Sequence, residues 1–174
     1  MKINEVALDN TIADIKRCPY YFAYGMNTNS KNMMMRTKLS KDMGAAVLPR
    51  YRLEFKTYCD VVPSSRDNVV GVLWRMTPQG LELLDDREGY PTFYGRDILR
   101  VQGSDGKTYP AWVYYMVDNS PIEPPPDSYW RDINIGYREH RLPTTQLISA
   151  LERSWDIYEK SYTKKDTGNS NGHA

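Results

Sequence analysis

Glu88 closes the cluster Leu84-Asp85-Asp86-Arg87-Glu88-Gly89. A carboxylate at the C-terminal end of a helix meets the negative end of the helix dipole, which raises its pKa. Such a group can take up a proton and return it, as a general acid-base residue must. The same cluster also reads as a solvated acidic helix end beside Arg87, because charge runs of this kind mostly lie at the surface. A second stretch is Tyr21-Phe22-Ala23-Tyr24-Gly25-Met26-Asn27. An aromatic strand that stops at glycine leaves backbone N–H groups beyond its ladder, and these can converge on a carboxylate or an oxyanion. An ordinary strand-to-turn corner has the same pattern. A third stretch is Pro124-Pro125-Pro126-Asp127-Ser128-Tyr129. Prolines followed by a capping serine can hold one phenol over a pocket; the same residues also make a linker. His140 lies in the charged run Arg138-Glu139-His140-Arg141 and reads as a solvated helix end rather than a base.

These residues need elements to position them. Residues 4–17 carry Val6, Ile12 and Ile15 at roughly helical spacing, an arm or weak helix that Pro19 ends. Tyr20 to Tyr24 reads as a buried strand that stops at Gly25. Ser30 is placed to cap a short helix through Met33 and Met34. Residues 51–58 alternate, with Tyr51, Leu53 and Phe55 on one face and Arg52, Glu54 and Lys56 on the other, as in a half-buried strand. A loop from Pro63 to Asn68 and a buried strand from Val69 to Trp74 follow. Thr77-Pro78 opens a helix, Leu81 and Leu84 face inward, and Gly89 stops it. Residues 94–102 and 108–117 form a hairpin around Gly103-Ser104-Asp105-Gly106. A stiff proline loop, 121–126, precedes helices at 128–140 and 143–159. In the last helix Leu147, Ile148, Leu151, Trp155 and Tyr158 share a face.

Composition narrows the function classes. The 174 residues are enough for one core, and 40% of them are hydrophobic. Lys and Arg number 23 against 22 Asp and Glu, so there is no electrostatic footprint for nucleic acid or an anionic membrane. No stretch is long and apolar enough to span a bilayer, and the first residues lack a signal-peptide apolar region. The expected compartment is the cytoplasm. Cys18 and Cys59 fit neither a metal spacing nor a disulfide framework and read as reduced thiols. No metal or other cofactor is expected. The 14 tyrosines suit the walls of a small-molecule pocket, and they suit a β-rich core equally well. Nothing in the sequence sets an oligomeric state.

Taken in order, the motifs resemble the gamma-glutamylcyclotransferase superfamily, which includes the avirulence-induced-gene-like proteins. That family's opening strand into Tyr-Gly-Ser-Asn is similar to Tyr21-Phe22-Ala23-Tyr24-Gly25-Met26-Asn27. Its Leu-Asp-x-x-Glu-Gly, after a strand and a helix, is similar to Leu84 to Gly89 after Gly71-Val72-Leu73-Trp74. Tyr94 matches a downstream strand tyrosine, and Tyr129 with Leu142-Pro143 matches the late proline-rich segment. The agreement runs from about Tyr20 to Leu151. The resemblance implies an α+β fold, a small mixed β-barrel with flanking helices. Residues 19–160 would form that domain, after an arm or helix at 1–18 and before a disordered polar tail at 161–174. It implies conversion of a gamma-glutamyl amine, amino acid or peptide to 5-oxoproline and a free amine. Glu88 would be the acid-base residue. Tyr21, Phe22, Ala23, Tyr24, Gly25, Met26, Asn27, Tyr94 and Tyr129 would bind substrate. Met26 stands where the family usually has serine, which removes a hydroxyl contact. Two other functions stay open on the same scaffold: a non-catalytic binding protein, and an enzyme acting on another amide or nucleotide-like metabolite.

Overall fold

The computed structural model describes residues 5–117 and 119–168. Five strands close into a barrel in the order β1-β3-β2-β4-β5. They are β1 (Tyr20–Ala23), β2 (Lys41–Lys56), β3 (Tyr58–Arg75), β4 (Tyr94–Gly103) and β5 (Thr108–Met116). Both hairpins, β2–β3 and β4–β5, are antiparallel, and β2 joins β4 through Ala46↔Gly103 and Val47↔Gln102. The short β1 runs antiparallel to β3 and parallel to β5, with Tyr21 opposite Trp112, and so seals the seam. Closure removes the free edges that an open sheet would expose. The mixed barrel with flanking helices implied by the family resemblance is therefore the fold observed.

The helices are α1 (Glu5–Arg17), α2 (Ser30–Thr37), α3 (Pro78–Glu88), α4 (Asp127–Glu139) and α5 (Thr145–Gly168). α3 begins as its sequence dictates. The Thr77 side chain accepts from the Gly80 N–H at 3.0 Å, and Pro78 takes the first turn, where its missing N–H costs nothing. It ends at Gly89, whose φ of 65° is a left-handed conformation that glycine adopts without strain. α2 is capped by Asn29 rather than Ser30, because the Asn29 side chain accepts from the Asn32 N–H at 3.2 Å. α4 crosses the 3-10 turn at Met26–Thr28 so closely that a Cβ on Gly136 would lie 2.3 Å from Thr28 Oγ1.

Three other expectations change. Residues 63–68, expected as a loop, continue β3, with Tyr51 opposite Pro63 and Pro49 opposite Asn68. Ser65 to Asn68 are exposed, and a register irregularity sits opposite them at Arg50, whose φ is 62°; paired backbone with this composition looks like a loop. On α5, Leu147, Ala150 and Ser154 are buried, while Ile148 and Trp155 lie on the exposed side. The buried stripe follows the 3.6-residue period, and Ile148 and Trp155, seven apart, share a different edge. The helix also runs on to Gly168, so the polar segment from residue 161 starts as helix; residues 169–174 lie outside the described residues.

Candidate active site

β1, the 3-10 turn after it, the end of α3 and the start of α4 meet at one cavity of about 500 Å³. That volume suits a small molecule. Glu88 is the last residue of α3, and its side chain is 18% exposed at the cavity wall. Asn27 Nδ2 donates to Glu88 Oε1 at 3.0 Å and to the Tyr21 hydroxyl oxygen at 2.9 Å. Arg36, from the last turn of α2, donates from Nη1 to Asn27 Oδ1, and the same nitrogen lies 3.9 Å from Glu88 Oε1. One amide thus ties a phenol, a carboxylate and a guanidinium together.

Burial raises the pKa of Glu88 above the ordinary glutamate value. The Asn27 hydrogen bond and the Arg36 and Arg87 charges pull it back part of the way. The physical cause is desolvation in the cavity wall, not the helix end alone. Asp86, the neighbour most easily mistaken for a second base, is exposed and does not line the cavity. Asp85 points elsewhere. It accepts from the Tyr114 hydroxyl and pairs with Arg96, whose Nε lies 2.8 Å from Asp85 Oδ1.

The tyrosines hold the walls. The Tyr129 hydroxyl accepts from the Cys59 N–H at 3.0 Å, and the Tyr94 hydroxyl donates to the Cys59 carbonyl at 2.7 Å. Two phenols from distant segments therefore brace both sides of one residue, Cys59, at the start of β3. Tyr24 donates to the Tyr114 carbonyl at 2.7 Å, locking β1 to β5. Tyr58 and Phe93 are partly exposed at the mouth, with ring centroids 6.4 Å apart and edge-on.

Of the residues expected from the sequence, Glu88, Tyr21, Tyr24, Gly25, Met26, Asn27, Tyr94 and Tyr129 all line the cavity. Phe22 and Ala23 do not. Both are fully buried in the core: Phe22 points to the face opposite Tyr21, and Ala23, on the same face as Tyr21, is covered by its neighbours. Arg36, Tyr114 and Asp132 line it as well; Arg36 lies nine residues beyond Asn27 and outside the motif, and Tyr114 and Asp132 come from elements far along the chain. His140 is not a solvated helix end. Its side chain is 8% exposed, with Nδ1 3.0 Å from the Gly136 carbonyl and Nε2 2.9 Å from Asp42 Oδ2. It stands apart from the cavity. Among the described residues, no group of three or more His, Cys, Asp or Glu side chains could hold a metal ion. Among them, no helix is long and apolar enough to cross a membrane.

Fold and site together define a closed-barrel protein whose small-molecule cavity carries one amide-held carboxylate in its wall. Residues 21–132 match the family described as gamma-glutamyl cyclotransferase, AIG2-like, and the chain belongs to that family. It is 28% identical to a gamma-glutamylcyclotransferase of Mus musculus over 147 residues, covering 76% of this chain and 78% of that protein. It is 29% identical to a gamma-glutamylcyclotransferase of Homo sapiens over 158 residues, covering 83% and 81%. A solved gamma-glutamyl cyclotransferase superposes with a TM-score of 0.66 at 26% identity, over 79% of this chain and 86% of the other. YkqA from Bacillus subtilis shares the fold, with a TM-score of 0.69 at 21% identity over 87% of this chain and 59% of that one.

Proposed function

We propose that this protein is a gamma-glutamyl cyclotransferase that releases 5-oxoproline and a free amine, with Glu88 as its acid-base residue. The observation that carries the reading is the Glu88 carboxylate itself. It is held by Asn27 in the wall of a tyrosine-lined cavity, and burial gives it extra proton affinity. The substrate's α-ammonium first gives up one proton to water. The resulting amine attacks the γ-carbonyl of the same molecule and closes a five-membered ring. Holding the chain folded makes this a proximity-driven step. The developing oxyanion faces the backbone turn at Gly25 and Met26. Glu88 then takes one of the two protons on the ring nitrogen, so that the ring keeps a single N–H, and passes it to the leaving nitrogen as the γ-carbon–nitrogen bond breaks. The amine departs past Tyr58 and Phe93 at the mouth.

The test replaces Glu88 by glutamine, which keeps the shape and the hydrogen bond to Asn27 but cannot shuttle a proton. 5-Oxoproline release from a panel of gamma-glutamyl amines, amino acids and peptides should fall on the order of a hundredfold to ten-thousandfold. The variant should stay folded. Near-normal turnover by folded Glu88→Gln protein overturns the assignment. Absence of turnover by the wild type on the whole panel overturns the reaction.

A further inference from the structure

Arg36 lies outside every motif that carries the family resemblance. It sits in the last turn of α2, its side chain is only 15% exposed, and it lines the cavity. A guanidinium has five N–H donors in a planar fork that matches a carboxylate. One of these is placed on Asn27 Oδ1 and another on Met26 Sδ, 2.9 Å from Nη2. A thioether is a weak acceptor, so a carboxylate can displace it. Arg87 also reaches the cavity, but it is exposed, and water and salt screen it.

Arg36 Nη1 and Glu88 Oε1 stand 3.9 Å apart, a cation and an anion side by side in one wall. An α-amino acid head carries the complementary pair, an ammonium and a carboxylate on one carbon. Laid one way, its carboxylate meets Arg36 and its ammonium meets Glu88. Laid the other way, like charges meet and the pose is rejected. We propose that Arg36 is the carboxylate seat of this cavity, forming with Glu88 a cradle for an α-amino acid head group, and that Met26 is the displaceable acceptor that frees Arg36 to do so. The inference deepens the cyclotransferase reading and rests on it for the identity of the occupant, the glutamyl head. It also supplies an orientation. With the carboxylate anchored at Arg36, the nitrogen on the same carbon is delivered to Glu88, and the side chain carrying the γ-carbonyl is left to fold toward the Gly25–Met26 turn. Arg36 then reads whether the α-carboxylate is free, and a substrate blocked there loses its anchor.

Calorimetric titration with L-glutamate and with L-isoglutamine tests this. The two differ only at the α-carboxylate, which isoglutamine carries as an amide, and neither has a γ-amide to cleave. Wild-type protein should prefer glutamate by about 10- to 100-fold, the usual range for a hydrogen-bonded charge pair. Arg36→Gln should erase that preference while leaving isoglutamine binding near the wild-type level, and Arg36→Lys should restore part of it. The cradle is overturned if neither compound binds the wild type or if the wild type does not prefer glutamate. It is also overturned if Arg36→Gln keeps the preference, or if it loses both ligands equally with a lowered melting temperature. The same preparations are assayed for 5-oxoproline release from gamma-glutamyl compounds. A glutamate preference that depends on Arg36, without release, keeps the cradle and removes the cyclotransferase. Release with a preference indifferent to Arg36 keeps the reaction and removes the cradle.

Discussion

Glu88 is held in its folded position against its own solvation, and the sign of that cost can be measured. Burial raises its folded pKa above the unfolded value, so the protonated form is the one folding favours. Its contribution to stability is fully present below the unfolded glutamate pKa and is lost as pH rises through the raised folded value. Glu88→Gln has no charge to desolvate. Its melting temperature should therefore equal or exceed that of the wild type at pH 7, and the difference should shrink as pH falls below the carboxylate range. A variant that melts lower than the wild type at pH 7 would show that the carboxylate stabilises the fold. Activity has its own limb. In the proposed role Glu88 is a general base and must be ionised in the free protein, so kcat/KM for 5-oxoproline release should fall as pH drops through the Glu88 pKa. The Asn27 hydrogen bond is the largest influence lowering that pKa. Asn27→Leu should move the acidic limb to higher pH, beyond its loss of rate at the plateau. An unmoved limb would assign it to another group.

At the scale of elements, Arg96 on β4 ties the site to two helices. Its guanidinium reaches Asp85 on α3 and Asp14 on α1, with Nη2 2.8 Å from Asp14 Oδ2. The carbon of the guanidinium lies 4.2 Å from the centre of the Trp112 ring and 4.7 Å from that of Tyr90. Such a site gains cation–π attraction as well as ion pairing. Asp85 is three residues before Glu88, on the same helical turn, and also accepts from the Tyr114 hydroxyl. Arg96→Met keeps the bulk and strands Asp85. Breaking a buried pair on one side typically costs about 3–5 kcal/mol. Asp14 is 30% exposed and can turn to water, so a loss near the lower end, about 3 kcal/mol, is expected from denaturant unfolding. The loss should be larger at pH 8 than at pH 5, because an unpaired buried carboxylate is tolerated better when protonated. A deficit independent of pH would mean that the lost packing on Trp112 and Tyr90 matters more than the charge.

For the whole molecule, closure of the barrel makes the short β1 the seam on which the cavity depends. Tyr21 comes from this seam, and Tyr24, Gly25, Met26 and Asn27 follow it. The far end of α5 bears no such responsibility. Ser161, Tyr162 and Thr163 are exposed, although the Tyr162 ring lies 5.3 Å from that of Tyr158. The residues after 163 are polar and Gly/Asn-rich and carry no large apolar side chain to bury. A chain that ends after residue 163 should melt within a degree or so of the full chain. A drop of several degrees, about 1 kcal/mol or more, would show that the deleted residues stabilise the fold.

Local chemistry was legible in the residues themselves. Thr77-Pro78 and Gly89 bound α3, Gly25 stops β1, and Glu88 falls at the helix end, because caps, turns and strand stops are decided within a few residues of chain. The family resemblance added the barrel and named the glutamate. Folding back the chain decided what remained. Arg36 reaches Asn27, Tyr129 reaches Cys59 across 70 positions, and Arg96 links Asp14 to Asp85; none of these partners is a neighbour in sequence. Phe22 and Ala23 left the site for the core, and residues 63–68 became strand, because pairing and pleat are properties of the sheet rather than of the segment. The proton affinity of Glu88 belongs to this second kind. Its helix position was written locally, but the burial that raises its pKa exists only once β1, α2, α3 and α4 have closed around it.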